Sequence, residues 1–285
     1  MLRNKIPVSV IIVTKNEEKC IARCVEALRD FDEIIVVDSC SEDRTREIAD
    51  ELGVRVETFE WNGVYPKKRQ WCLDYLDIQN DWVFFVDADE VVLENVVIEI
   101  SALFEVKDKQ YVGYFVRSRY VWNEKMLRFG LLNSKLVLFD KRYVGFPIIN
   151  DLNCTGMGEI EGHYQPVLKA SMGGMKIGVL QNKMQHFAFY DQEKWVDRHE
   201  RYAQWEVCMH CCDAWPKEPV YLRQVMKIIF RRLPFRDVVA FMHCYILKLG
   251  FLDGRTGFHF ALARAQYYRM VANALKTNID LAKDV

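Results

Sequence analysis

Long apolar runs are missing from this chain. No window reaches the roughly 18 uninterrupted apolar residues that a membrane-spanning helix requires. The nearest, VVAFMHCYILKLGFL over 238–252, is too short and carries His243 and Lys248. The opening MLRNKIPVSVIIVTKNEE has only about seven apolar residues in a row before charged sequence, unlike the longer apolar region and small-residue cleavage site of a secretory signal. An excess of one charge sign is missing as well, since 39 basic side chains face 40 acidic ones. Global charge therefore points neither to nucleic acid nor to an acidic tail, and any electrostatic function has to be local. There are no internal repeats, no low-complexity linkers, no G-x-G-x-x-G after the first strand and no G-x-x-x-x-G-K-[ST]. Dinucleotide and P-loop readings fail with them.

Cysteine is not scarce: there are nine, an odd number, with no secretory segment in front of them. The expectation is free thiols in a reducing, cytoplasmic compartment. Within CMHCC (208–212), Cys208, His210, Cys211 and Cys212 could on paper bind zinc. A second, distant ligand pair is not evident, and on a helix Cys208 and Cys211 would share a face and pack as small hydrophobes.

What is present is a 285-residue chain, 51% hydrophobic and 28% charged. That suits one large folded domain, or a domain with an appendage. VSVIIV (8–13) and EIIVVD (33–38) are β-branched apolar runs, the pattern of strands buried on both faces. Between and after them, KCIARCVEALRDF and SEDRTREIADELG read as helices, the second with Ser41 as N-cap and Gly53 as its stop. VRVETFE (54–60), a helix from Pro66, and WVFFVD (82–87) continue the alternation, which argues an α/β, doubly wound, mostly parallel sheet. Ligands of such sheets gather at the carboxyl ends of the strands. That rule picks out Thr14, Asn16 and Glu17 after the first strand, Asp38 after the second, and Asp87 with Asp89 after the fourth.

FFVDADE (84–90) then stands out, because it ends a buried strand in three carboxylates, Asp87, Asp89 and Glu90. Crowded anions repel, so a cation is expected there. Two carboxylates at i and i+2 can reach one hard divalent ion, with diphosphate oxygens completing its shell. Asp38 could bind a nucleotide's base or ribose, or equally stabilise the start of the next helix. FFVDADEV also fits the D-x-D-x-[TV] nucleophile of dehalogenase-type phosphatases, but that motif normally opens its domain.

Taken together, VSVIIVTKNEE, IIVVDSCSEDRTREIA, KKRQWCLDYL and WVFFVDADE resemble the inverting family 2 glycosyltransferases of GT-A fold. The resemblance is to the bacterial branch that builds lipopolysaccharide core and other surface polysaccharides, and KLGFLDGRTGFHFALARAQYY (248–268) is similar to the tail of that branch. It implies a UDP- or GDP-sugar donor held around Thr14, Asn16, Glu17 and Asp38, with Lys68, Arg69 and Asp87 beside it. It further implies Mg²⁺ or Mn²⁺ on Asp87 and Asp89, a glycan or lipid-linked acceptor, and no nucleic acid. Relatives carry a His-Glu pair followed by a glycine-rich stretch and a further His. Here GEIEGHYQP and the stretch up to His186 stand in that region.

An inverting transfer needs a general base for the acceptor hydroxyl. Glu161 is the first candidate, with Asp151 and His163 behind it. Two other classes fit part of the pattern: a nucleotide-sugar-binding protein without turnover, and a sugar nucleotidyltransferase. Against the second, TKNEE stands where a glycine-rich phosphate loop would be expected.

Residues 1–105 read as the donor half, 106–190 as the acceptor-side half, and 191–285 as a helical extension. Between 219 and 255, seven basic residues outnumber two acidic ones and alternate with apolar side chains. That composition suits peripheral contact with an anionic membrane, placing the protein at the cytoplasmic face of the inner membrane, or else an ordinary helix with a solvated basic face.

Overall fold

The computed structural model describes residues 5–105, 111–154, 158–161, 164–169, 175–189, 192–215 and 221–283. The chain forms two compact units, one of Met1–Tyr120, Leu132–Pro147 and Gln165–Phe187, the other of Val121–Leu131, Ile148–Tyr164 and Ala188–Val285. The middle segment 106–190 thus contributes to both.

The first unit is built on a sheet whose order follows from burial. β1 (Ile6–Thr14) lies at its centre, parallel to β2 (Phe31–Asp38) on one side and to β4 (Trp82–Asp87) on the other, and β2 pairs in parallel with β3 (Arg55–Thr58). Their apolar runs are buried almost throughout, as strands covered on both faces must be. Short helices connect them: α1 (Ile21–Glu26), α2 (Thr45–Glu51) and α3 (Lys68–Tyr75), while α4 (Glu94–Glu105) follows β5 (Glu90–Val91).

Beyond β4 the added strands run antiparallel. β8 (Leu132–Asp140) pairs with β4 and with β6 (Tyr111–Trp122), and β11 (Lys176–Phe189) pairs with β5. The sheet order is β3-β2-β1-β4-β8-β6-β11-β5, with β7 (Lys125–Met126) beside β6; β9 (Val144–Gly145) and β10 (Val167–Leu168) pair separately. The α/β organisation expected from the sequence is the one adopted, its parallel part confined to the first four strands.

One local expectation is corrected. Helix α2 begins at Thr45, and Ser41 does not cap it. Asp43 Oδ1 accepts the Thr45 amide instead (3.0 Å), because Ser41 is drawn into contacts with Asp38 and Asn16.

The second unit is helical: α5 (Gln192–Cys211), α6 (Tyr221–Arg232), α7 (Arg236–Met242), a π turn (His243–Leu247), a 3₁₀ turn (Gly250–Asp253) and α8 (Gly254–Lys283). Trp205 and Met209 of α5 pack around Cys154, and Ala203 packs with Tyr267 and Val271 of α8. Buried Glu206 accepts from Tyr267 Oη (2.8 Å) and pairs with Arg236. Asp253 accepts the amides of Arg128 and Phe129 (3.1 and 2.8 Å). A Cβ on Gly257 would collide with the carbonyl of Gly250, so α8 and the 3₁₀ turn approach more closely there than any other residue would allow.

Cys154 and Cys208 are joined by a disulfide, with their Cα atoms 5.6 Å apart. The expectation of free thiols throughout is therefore corrected. The Cys208 sulfur, bonded to another sulfur, is not available to the CMHCC zinc set that the sequence already argued against. Among the described residues, no helix is long and apolar enough to cross a membrane.

Candidate functional site

Parallel pairing brings the chosen strand ends side by side: Thr14 lies opposite Asp38, and Val13 opposite Asp87. The loops that follow β1 and β2 are then fastened to each other. Asn16 N–H donates to Ser41 Oγ (2.7 Å), Glu17 N–H to Thr45 Oγ1 (2.8 Å), and Glu42 N–H to Asn16 Oδ1 (2.8 Å). Asn16 and Cys40 both adopt left-handed backbone, at φ 57° and 53°. Asn tolerates that region; a cysteine held there indicates a loop constrained by its surroundings. Thr14 Oγ1 and Ser39 Oγ are buried at these ends without a hydrogen-bond partner.

Asp38 has a task inside this loop pair. It is 0% exposed, and its two oxygens accept from the Ser41 amide (2.8 Å) and the Ser41 hydroxyl (2.5 Å). Its carboxylate thereby holds the loop that follows β2. Buried carboxylates need such donors.

The acids of DADE part company. Asp87 Oδ1 receives Arg69 Nη2 at 2.7 Å and Asp87 Oδ2 receives Lys135 Nζ at 2.5 Å. Lys135 also reaches Glu90 Oε1 (3.1 Å), which accepts from Ser118 Oγ (3.1 Å), while Glu90 Oε2 accepts the Asp87 amide (3.2 Å). Asp89 instead faces His186, with Oδ2 and Nε2 3.4 Å apart. Lys135, Arg69 and His186 thus lie among the crowded acids and offset part of their charge. Asp87 and Asp89 have different partners, Arg69 and Lys135 for the first and His186 for the second. Among the described residues, no cluster of three or more His, Cys, Asp and Glu is arranged to hold a metal ion.

The electrostatics follow from these pairs. Burial would raise the Asp87 pKa, but Lys135 and Arg69 outweigh it and hold the carboxyl well below its usual range. Burial would lower Lys135, yet Asp87 and Glu90 keep it charged and raise it. For His186 burial is likewise overcome, chiefly by Asp89, and its pKa is raised. Burial, then the three acids, push the neighbouring Cys24 thiol up.

Lys135 and His186 were not singled out as site residues from sequence. Lys135 opens the apolar run KLVLFD and His186 interrupts MQHFAF; a lone polar residue heading or breaking a buried strand is the signal that could have found them. His186 reaches the acids because β11 pairs with β5, setting it opposite Glu90. Tyr120 stacks on its ring at 5.2 Å.

Of the remaining candidates, Lys68 is buried with its ammonium 5.9 Å from the Phe59 ring centre. Phe59 donates its amide to the Asp38 carbonyl (2.8 Å). It also lines a cleft of about 170 Å³ with Glu60, Asn62, Tyr65, Pro66, Trp71 and Tyr75. Glu161 and Asp151 are buried in the second unit. Asp151 accepts the Trp205 indole N–H (3.2 Å) and its carbonyl accepts the Cys154 amide (3.0 Å). His163 lies outside the described residues.

Residues 9–157 match the sequence profile of glycosyl transferase family 2. An uncharacterized glycosyltransferase of Rickettsia typhi is 34% identical over 155 residues, covering 52% of this chain and 50% of that protein. The lipopolysaccharide core biosynthesis glycosyltransferase LpsC of Rhizobium meliloti is 30% identical over 120 residues, 40% of this chain and 43% of that one. The chain thus spans about half the length of the Rickettsia relative it matches. Among solved structures, a mannosyltransferase from Pyrobaculum calidifontis, in complex with GDP-Man and Mn²⁺, covers 95% of this chain and 87% of its own, with a TM-score of 0.52 and 13% identity. Identity that low speaks to the fold alone, which is of the GT-A type. With the profile covering more than half of the residues, including every strand end described above, the chain belongs to glycosyl transferase family 2.

Proposed function

We propose that this protein transfers a sugar from a nucleotide-sugar, a UDP- or GDP-sugar, to a hydroxyl of a glycan or lipid-linked acceptor, with inversion. The surface-polysaccharide or lipopolysaccharide setting follows the likeness to LpsC, and the cytoplasmic face of the inner membrane is the setting this implies. The observation that carries the proposal is the convergence of three strand ends on Thr14, Asp38 and the Asp87–Asp89–Glu90 group.

Each group has a proposed task. The interlocked loops around Asn16, Glu17 and Ser41 hold the nucleoside, with Asp38 acting through Ser41. The orphaned hydroxyls of Thr14 and Ser39 are donors that a ligand would satisfy. The aromatic cleft at Phe59 and Trp71, reached through Lys68, suits stacking of a flat base. Arg69 and Lys135, both paired with Asp87, set a positive field where a diphosphate develops charge.

A divalent cation, Mg²⁺ or Mn²⁺, is placed at Asp87 and Asp89, with the His186 nitrogen beside Asp89 as a further donor. Bound there, it would supply charge neutralisation at the leaving diphosphate. In the transfer the acceptor oxygen bonds to the anomeric carbon, the bond to the diphosphate breaks, and the acceptor proton passes to a base. Glu161 is the proposed base. Asp151, already bonded to Trp205, is assigned to positioning, and His163 stays behind Glu161.

Calorimetric titration with UDP, GDP, CDP and TDP, with and without Mn²⁺, tests the donor site. One diphosphate should bind tightly, and Asp89→Asn and His186→Ala should each abolish the metal-dependent part. Absence of binding by all four would overturn the reading. Released nucleotide from the matching sugar donor, lost in Glu161→Gln with donor binding retained, tests turnover; binding without any release would favour a non-catalytic nucleotide-sugar binder.

A further inference from the structure

Helix α6 is built the wrong way round for a helix that only packs on a protein. At 100° per residue, Tyr221, Leu222, Met226, Ile228 and Ile229 share one arc with Val225, Phe230 and the exposed Arg232, while Arg223, Gln224, Lys227 and Arg231 form the opposite one. A surface helix of a soluble domain turns such an apolar arc inward. Here no residue of α6 is buried, and Tyr221 is 83%, Leu222 70%, Met226 60% and Ile229 50% exposed. The polar arc is the more covered one: Arg223, Gln224, Lys227 and Arg231 are all half-buried, and the Arg231 guanidinium lies 3.6 Å over the Trp215 ring.

The exposed apolar character does not stop with α6. Leu233, Phe235, Val238, Met242, Ile246 and Leu247 carry it through the turn and along α7 into the π turn. Beyond that, rings of Tyr245, Phe251 and Phe258 meet with centroids 5.7 to 6.3 Å apart, so the π turn, the 3₁₀ turn and α8 present one continuous aromatic surface. Patches of this extent mark an interaction surface.

Charge decides what covers it. From 221 to 262 there are seven Arg and Lys residues but only Asp237 and Asp253 on the acidic side. Both acids are engaged, Asp237 with Arg269 (3.2 Å) and Asp253 with two backbone amides. Arg232, Lys248 and Arg255 stay exposed. A symmetric pairing of two copies through this face would set like charges against each other. A layer of anionic headgroups satisfies the cations and takes up the apolar side chains at the same time.

We propose that α6 is an interfacial membrane-binding helix, seated in the headgroup layer of an anionic bilayer with Tyr221, Leu222, Met226 and Ile229 towards the acyl chains. No helix among the described residues can span a bilayer, so the contact is peripheral. The cations make it salt-sensitive. The inference stands apart from the transfer reaction and needs neither donor nor acceptor.

Flotation of the full chain with phosphatidylcholine vesicles, with and without phosphatidylglycerol, tests it. Binding should require phosphatidylglycerol, weaken at high salt, and fall on the order of tenfold or more in Met226→Glu/Ile229→Glu. Both positions are exposed, and an unchanged circular dichroism spectrum and nucleotide titration would show that the fold and donor site survive. Arg232→Glu/Lys248→Glu should remove the lipid-charge dependence. Failure to bind either vesicle, or equal binding by the Met226→Glu/Ile229→Glu protein, overturns the proposal. So does a stable dimer in sedimentation velocity that this double variant dissolves, which would assign the face to a second copy.

Discussion

Lys135 places its ammonium 2.5 Å from Asp87 and thereby also 3.1 Å from Glu90, so one cation serves two of the three acids that end β4. Removing one partner from such a group leaves uncompensated charge in a half-buried place, at a cost of about 3 kcal/mol. Lys135→Met should lower urea stability by roughly that amount. Lys135→Met/Glu90→Gln should recover part of the loss, since the best-buried unpaired charge goes with it. A double variant no more stable than the single one would mean that the coupling is absent.

Two ion-paired groups, His186 and Asp87, set the pH dependence of the metal-free protein. His186 has its pKa raised from 6.5, so its contribution is complete below that value and is lost as pH rises through the raised one. Asp87 is lowered from 3.8, so its contribution is present above that value and lost on acidification. Stability should therefore decline as pH rises above 6.5 through the raised His186 pKa, and His186→Gln should flatten that decline. Mn²⁺ affinity should rise over the same interval, because a bound cation has to displace the imidazole proton.

Cysteine reactivity separates the thiols. Cys40, Cys211 and Cys212 are exposed, whereas Cys20 and Cys24 are buried. Burial, and then Glu17, push the Cys20 pKa up to about 11, which leaves it almost wholly protonated at neutral pH. Iodoacetamide on the native protein should label the three exposed positions first, and mass spectrometry should find Cys154 and Cys208 joined until reductant is added. Cys154→Ala should cost up to about 4 kcal/mol, the loop-entropy value for such a separation, read from urea unfolding.

The loop role of Asp38 makes a different claim. If it acts through Ser41, Ser41→Ala should weaken diphosphate binding nearly as much as Asp38→Asn does. Direct contact with the nucleotide would leave Ser41→Ala close to wild type. Calorimetry on the two variants distinguishes these.

Gly257→Ala should lower the melting temperature of the protein. The added methyl meets the Gly250 carbonyl, and forcing the two turns apart costs about 1–3 kcal/mol. A melting temperature equal to wild type would show that α8 can shift freely.

Much of this was legible beforehand for a local reason. β-branched runs such as VSVIIV and WVFFVD bury both faces whatever surrounds them, so strands β1, β2 and β4 and the acids at their ends follow from spacing and hydrophobicity alone. Pairs far apart in sequence were not legible. Lys135 stands 48 residues from Asp87, and Cys154 stands 54 from Cys208; neither pairing has a periodic signature. Asp38 was visible as an acid in the right place, but not as one already occupied by Ser41.

The chain's composition and patterning were enough to specify a parallel α/β core and to deliver Thr14, Asp38 and Asp87 to one edge of it, because period and burial act over a few residues. Which cation each acid receives depended on antiparallel strands arriving from elsewhere: β8 brought Lys135, and β11 brought His186 to Asp89. The same holds for α6, whose amphipathic pattern was readable but whose outward turn was not. A helix wheel fixes the angle between its two faces, and only packing chooses which of them meets the protein.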